Sequence, residues 1–280
     1  MTQAERRKFL IQYLLDEALY KQKIPQNEDE QKQLFRSLVN VRPAKPVSKE
    51  FLLIQDEYLK EENKNRGITD VRDLKPVTLT ILNEQASAKP NMIVYNALSD
   101  IFLWRGDITT LKVDAIVNAA NSGMTGCWQP CHACIDNCIH TFAGIQLRSI
   151  CTDIMKKQGH EEPTGSAKIT PAFNLPSKFV LHTVGPIIYE KLTQKDCDLL
   201  ASCYKSCLNL ANENKLKSIA FCCISTGVFR FPAEKAAQIA INTVCEWKKQ
   251  KKSDIKVVFN VFGEKDESIY KQTLTTFVQE

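Results

Sequence analysis

"VDAIVNAANSGMTGCWQPCHACIDNCIH", residues 113–140, carries the reading of the fold in its first half and of the chemistry in its second. "AIVNAA" is an apolar run of strand length, and the spacing of apolar residues beyond Ile135 fits a helix. The same alternation continues outward. The runs "TLTIL", "IFLW", "FVLHTV", "SIAFCCIS" and "VVFNVF" are separated by segments of helical periodicity near residues 135–158, 194–214, 232–251 and 266–279. Strands alternating with helices predict an α/β sandwich around a largely parallel sheet. Ligands of such sheets bind outside the carboxyl ends of the strands. That rule singles out "NAANSGM", "HTVGP", "STGVFRFP" and "FGEKDESIY".

Ahead of the first run the pattern is helical. Thr2 and Glu5 have capping-box spacing before a stripe of Phe9, Leu10, Tyr13 and Leu14. A second helix is expected around Leu34–Val39, stopped by "VRPAKP", and Ser48 can cap a third carrying Phe51, Leu52 and Tyr58. Residues 1–75 are therefore read as a helical extension and 76–280 as the main domain, with "KEENKNRG" and "SAKPN" as boundary segments.

Composition narrows the class. A hydrophobic fraction of 44% and a charged fraction of 25% are those of an ordinary globular protein, and no apolar run is long enough to span a bilayer. The charged, amphipathic start lacks a signal-peptide cleavage site, so a cytoplasmic location is expected. The net charge of +5 comes from clusters such as "EWKKQKKSDIK", read as a solvated helix end. Nucleic acid is a poor partner for so mild an excess without interleaved aromatics. The 11 cysteines are odd in number and partly set in apolar runs, which fits reduced thiols, with Cys222 and Cys223 as small buried hydrophobes.

Two stretches carry chemistry. "STGVFRFP" follows a strand with a hydroxyl pair and a glycine before a helix that Pro232 can open, a cradle suited to an anion such as a diphosphate. "GCWQPCHACIDNCIH" offers Cys127, Cys131, His132, Cys134, Cys138 and His140, more than one zinc ion takes. Cys127 and Cys134 flank a turn around Pro130, His132 falls on the side of Cys134, and Cys138 and His140 fall on the helix. The favoured set is Cys127, His132 and Cys134, with Cys131 as the rival ligand. Three ligands leave a fourth position open, as in catalytic zinc sites. Two other readings stand beside it: a closed zinc knuckle that only staples the loop, and a thiolate activated by a histidine. His140 is read as a core histidine, with His182 and His160 holding no better claim.

The strand-end motifs "GDIT" (106–109), "VDAIVNAAN" (113–121), "TGSAKIT" (164–170), "LPSKFVLHTVGP", "ISTGVFRFP" and "VFGEKDESIY" together resemble macrodomains over about residues 88–280. The resemblance implies a three-layer α/β/α sandwich with a mixed sheet and an ADP-ribose pocket. Carried over by motif, Asp107 and Ile108 contact adenine, Ser225, Thr226, Gly227, Val228 and Phe229 wrap the diphosphate, and Asn121 holds the distal ribose. Hydrolytic members place an aspartate and, four residues on, a histidine after a glycine-rich loop. Here Asp136 and His140 remain, but "GCWQPCHAC" replaces the glycines. That replacement and "LVNVRP" (38–43) are similar to the zinc-dependent, sirtuin-linked macrodomains, whose C-x4-H-x-C pattern agrees with the ligand set above.

The subfamily resemblance implies one zinc ion per chain and removal of mono-ADP-ribose from proteins, from carboxylate linkages. Asp136 and Asn121 are the catalytic candidates. It also implies a sirtuin-type ADP-ribosyltransferase and a lipoylated carrier protein as partners in one pathway. The alternative is an ADP-ribose reader with a structural zinc.

Overall fold

The computed structural model describes residues 1–79 and 98–279. Three helices come first: α1 (Gln3–Glu17), α2 (Glu28–Val41) and α3 (Lys49–Asn65). Each starts on the side chain its sequence offers. The Thr2 hydroxyl accepts the Glu5 N–H while the Glu5 carboxylate accepts the Thr2 N–H, Asn27 caps α2, and Ser48 caps α3. Their apolar faces close on one another through Leu10, Ile11, Leu15, Phe35, Phe51, Tyr58 and Leu59, and this cluster also takes in Ile145. Burial of side chains of that size stabilises by about 1.5–3 kcal/mol each before ordering costs are deducted.

The chain then forms β1 (Thr69–Asp70), β2 (Ile101–Arg105), β3 (Leu111–Lys112), β4 (Ala115–Ala120), α4 (Ile135–Ala143) and α5 (Ile145–Gln158). It continues with β5 (Ala167–Pro171), β6 (Phe179–Val184), α6 (Gln194–Glu213), β7 (Ser218–Phe221), α7 (Ala233–Lys251), β8 (Lys256–Val261) and α8 (Glu264–Gln279). Among the described residues these strands make a six-stranded sheet in the order β2-β8-β7-β4-β6-β5 and a two-stranded pair β1-β3. Every pairing in the larger sheet is parallel except β5 with β6. This is the expected mixed, largely parallel sheet, and α6, α7 and α8 pack in sequence while α4 lies on β4 and α5 on β5. Because β2, β4, β6, β7 and β8 run the same way, Asp107, Asn121, Gly185, Ser225 and Phe262 all follow strands at one edge.

Three expectations need correction. The segment 135–158 is two helices, broken at Gly144, whose φ of 99° lies in the region that favours glycine. Thr78 and Leu79 of "TLTIL" are helical rather than extended, and the rest of that run, like "SAKPN", lies outside the described residues. The lysine-rich end of α7 is not wholly solvated: Lys248 is buried, and its Nζ donates to the carbonyls of Ser253 (3.1 Å) and Ile255 (2.6 Å), closing the helix end.

Candidate active site and metal centre

Beyond β4, Asn121 opens a loop that returns to the sheet as α4. Its amide is fixed at both ends: Oδ1 accepts the Gly123 N–H at 3.0 Å, and Nδ2 donates to the Gly126 carbonyl at 3.2 Å and to Asp136 Oδ2 at 3.3 Å. Asp136, on the first turn of α4, is 4% exposed. Its other oxygen accepts from Asn118 Nδ2 at 2.7 Å and lies 3.5 Å from His140 Nε2. Burial pushes the Asp136 carboxyl up to about 6, against the stabilising Asn118 bond and the Arg148 charge.

Behind Asp136 the network continues inward. Asn118 Nδ2 also donates to His182 Nδ1 at 3.1 Å, so Nε2 carries the ring proton and donates to Thr170 Oγ1 at 2.9 Å. His140 is buried, and burial together with His182 and Arg148 holds it well below the usual imidazole range. A cavity of about 10 Å³, the lower limit for holding one water, lies between His140 and the extension residues Val39, Arg42 and Pro43. His140, Cys151 and His182 also have ligand atoms near one another, all buried beneath Asp136. His160 lies elsewhere, exposed and hydrogen-bonded to its neighbours.

The cysteine-rich loop brings Cys127, His132 and Cys134 together, their ligand atoms all within 4.8 Å of one another and Cys127 Sγ 3.5 Å from His132 Nδ1. A turn from Gln129 to His132 makes this possible, with Cys131 in a left-handed conformation, φ 55°. Cys131 itself points elsewhere: its thiol faces the Gln33 carbonyl of α2 at 3.4 Å. Cys138 lies on α4 beside Arg36. Two thiols and an imidazole in reach of one point are the soft donor set that zinc favours and magnesium or calcium does not. The residues fit the ion. Burial pushes the Cys134 thiol up to about 12, and a divalent cation at the cluster would reverse that preference.

The strand-end loop of "STGVFRFP" turns on Ser225 (φ 66°) and Arg230 (φ 60°). Among the described residues no backbone carbonyl engages the N–H groups of Gly227, Val228 and Phe229, which leaves three donors for an anion. Gly185 of "HTVGP" presses against this loop, since a Cβ there would lie 2.0 Å from Ser225 Oγ. Asp107 accepts from Thr109 and from Arg66 at the end of α3, while the Ile108 side chain belongs to the core. Phe262, exposed at the end of β8, stands beside that turn because Gly106 pairs with Val261.

Sequence reasoning missed Asn118, Arg148 and Trp128. Asn118 has a visible signal, a polar residue inside the apolar run "AIVNAA". Arg148 has none: a buried arginine on α5, it donates to the carbonyls of Thr125, Val39, Arg42 and Cys127 and stacks 4.2 Å from the Trp128 ring.

The Macro domain family model matches residues 117–240. A protein-ADP-ribose hydrolase of Treponema medium is 65% identical over 277 residues, covering 98% of this chain and 100% of that protein. A probable bifunctional ADP-ribose hydrolase/ADP-ribosyltransferase of Fusarium oxysporum f. sp. cubense is 39% identical over 267 residues, 91% of this chain and 43% of that protein. The solved macrodomain of Trypanosoma brucei in complex with ADP-ribose superposes with a TM-score of 0.62 at 28% identity, covering 85% of this chain and 94% of that one. Identity sustained over nearly the whole length, on a sheet of this topology, makes the chain a member of the macrodomain family, among the protein-ADP-ribose hydrolases.

Proposed function

We propose that this protein hydrolyses single ADP-ribose units from carboxylate side chains of modified proteins, with one zinc ion per chain at Cys127, His132 and Cys134. The removal of ADP-ribose from proteins follows from the family. The observation that supports the finer reading is the position of Asp136, a buried carboxylate two residues beyond Cys134 and hydrogen-bonded to Asn121.

In this reading ADP-ribose lies along the strand-end edge. Gly227, Val228 and Phe229 present N–H groups to the diphosphate, Ser225 and Thr226 complete that loop, and Asp107 and the main chain at Ile108 meet the adenine. Binding energy is thus gathered far from the reacting bond. Asn121, already immobilised, meets the distal ribose without further ordering cost. Asp136 orients water or the ribose hydroxyl and accepts its proton. A zinc ion at the three ligands would supply Lewis acidity at its open position.

We further propose a cytoplasmic setting, a sirtuin-type ADP-ribosyltransferase as the enzyme that writes the mark, and a lipoylated carrier protein as the substrate. A linked transferase is supported by the Fusarium relative, whose name joins both activities. The carrier rests on the subfamily resemblance alone. No described helix is long and apolar enough to cross a membrane.

The test is hydrolysis of a mono-ADP-ribosylated protein by the purified protein before and after chelation, with metal quantified on the same sample. About one zinc per chain, with activity lost on stripping and regained with zinc, is the expected result. Bound zinc and bound ADP-ribose without hydrolysis would make it a reader whose metal only staples the loop. Full activity in stripped, metal-free protein would remove zinc from the reaction.

A further inference from the structure

The helical extension is tied to the metal loop at His132 directly and at Cys134 and Cys127 through one intervening residue each, and two of its side chains, Arg36 and Asn40, bond the loop themselves. Arg36, on α2, donates from Nη2 to the backbone carbonyl of His132 at 2.7 Å. The same guanidinium donates from Nε and Nη2 to Asn137 Oδ1, at 3.1 and 2.8 Å. Asn137 is fully buried, its N–H donates to Cys134 Sγ at 3.4 Å, and its Nδ2 donates to the Gln129 carbonyl at 3.0 Å. One arginine therefore fixes the main chain of one ligand and the neighbour that holds the sulfur of another.

Asn40, one helical turn further along α2 and 1% exposed, completes the clamp. Its Oδ1 accepts the N–H of Cys131 at 2.9 Å, the residue whose left-handed conformation turns the loop, and its Nδ2 donates to Thr141 of α4 at 3.0 Å. The third ligand, Cys127, is held through Arg148, which the extension grips with the carbonyls of Val39 and Arg42.

We propose that Arg36 and Asn40 are positioning residues for the metal loop, so that the extension is part of the catalytic apparatus and not only a cover for the fold. The inference rests on the reading of Cys127, His132 and Cys134 as zinc ligands. Ligands on a loop without such supports sample many arrangements, and the free energy of ordering them is then drawn from metal binding. Loss of partners that orient metal ligands commonly weakens affinity about 10–100-fold.

The experiment measures zinc affinity of the whole chain by competition with a chromogenic chelator, in wild type, Arg36→Gln, Arg36→Lys, Asn40→Ala and Ser37→Ala, alongside affinity for free ADP-ribose. Ser37, between the two clamps, donates to the Leu34 carbonyl of its own helix and, among the described residues, makes no side-chain bond to the loop. In Arg36→Gln and Asn40→Ala, zinc binding is expected to weaken at least tenfold and the zinc-induced rise in melting temperature to shrink accordingly. Affinity for ADP-ribose stays within about threefold, since the partners of Arg36 and Asn40 are His132, Asn137, Cys138, Cys131 and Thr141 and none belongs to the loop of Ser225 to Phe229. Arg36→Lys, which keeps a donor and the charge but not the fork, recovers part of the loss. Ser37→Ala matches wild type. Zinc bound equally well by wild type and by folded Arg36→Gln and Asn40→Ala would overturn the positioning role while leaving the metal centre intact. Failure of the wild type to bind zinc at all would overturn both.

Discussion

Asp136 sits where two asparagines can share one carboxylate. Asn118 and Asn121 each donate to a different oxygen, so the charge is held in a fixed plane although burial disfavours it. In Asp136→Asn the Asn118 contact can survive, but either Asn121 or the introduced amide must turn to avoid facing donor to donor. Hydrolysis is expected to fall about 10²–10⁴-fold, the span general acid–base groups contribute. Affinity for ADP-ribose stays within a few-fold, read by calorimetry; turnover within tenfold of wild type would deny Asp136 the role of base. Gly126 tests the same neighbourhood from the loop side. Its φ is 85°, and an added Cβ would lie 2.9 Å from the His140 ring. Gly126→Ala is expected to destabilise by about 1–3 kcal/mol and to lower activity with it. A denaturant midpoint equal to wild type would show that the loop relaxes freely around the ring. Asp136 and Asn121 were legible because their residue types and spacing carry a family pattern. Asn118 stood in view without being read, and the Asn118–His182–Thr170 chain was not legible, since it joins β4, β5 and β6 across the sheet.

Capping residues made α1 and α3 readable, the apolar positions of Leu34 to Val39 and the stop at "VRPAKP" did so for α2, and apolar runs did the same for β2, β4, β6, β7 and β8. β5 shows why the remainder was harder. It is an edge strand whose one buried position is Thr170, so no apolar run announces it. The break between α4 and α5 likewise hides in a segment whose apolar spacing is helical on both sides of Gly144. The proposed division at residue 75 is a boundary in sequence more than in packing. β1 pairs with β3, and Ile145 of α5 belongs to the extension's apolar cluster. Arg148 joins the same elements by polar contacts, and its guanidinium donates to four carbonyls, two on the cysteine-rich loop and two on the extension. Arg148→Gln is expected to leave some of these buried acceptors without donors, at a cost of about 3 kcal/mol. For a chain of this size that lowers the melting temperature by roughly 6–12 °C. A shift below about 2 °C, under a third of that range, would mean that water replaces the guanidinium at little cost.

Across the whole molecule the buried histidines make stability depend on pH in a way the sequence discloses only in part, because it marks His140 as a core histidine but does not set the buried His182 apart from the exposed His160. His182, shielded completely, is lowered by burial from 6.5 to about 3, and His140 is lowered as well. The unfolded chain therefore binds protons at both positions below about pH 6.5 while the folded chain stays neutral there. The His182 contribution is full above about 6.5 and is lost as pH falls towards 3, at about 1.4 kcal/mol per pH unit, and the lowered His140 adds to the loss in the same direction. Asp136 works against them between about pH 6 and 4, because its raised carboxyl binds a proton in the folded state first. Asp136 thereby offsets about one histidine's share of the loss in that window, and below about pH 4 depressed carboxylates such as Asp114 add to the loss. In His182→Asn the side-chain oxygen can still accept from Asn118, but the titrating group is gone. Unfolding free energies from urea titrations at about pH 7.5, 6 and 4.5 are expected to fall more steeply in wild type than in His182→Asn, by about 1.4 kcal/mol per pH unit below about pH 6. Asp136→Asn, which removes the opposing proton, should steepen the fall by a similar amount. Parallel pH profiles for the wild type and His182→Asn would mean that the folded state admits a charged His182, and the buried chain behind Asp136 would then have to open on acidification.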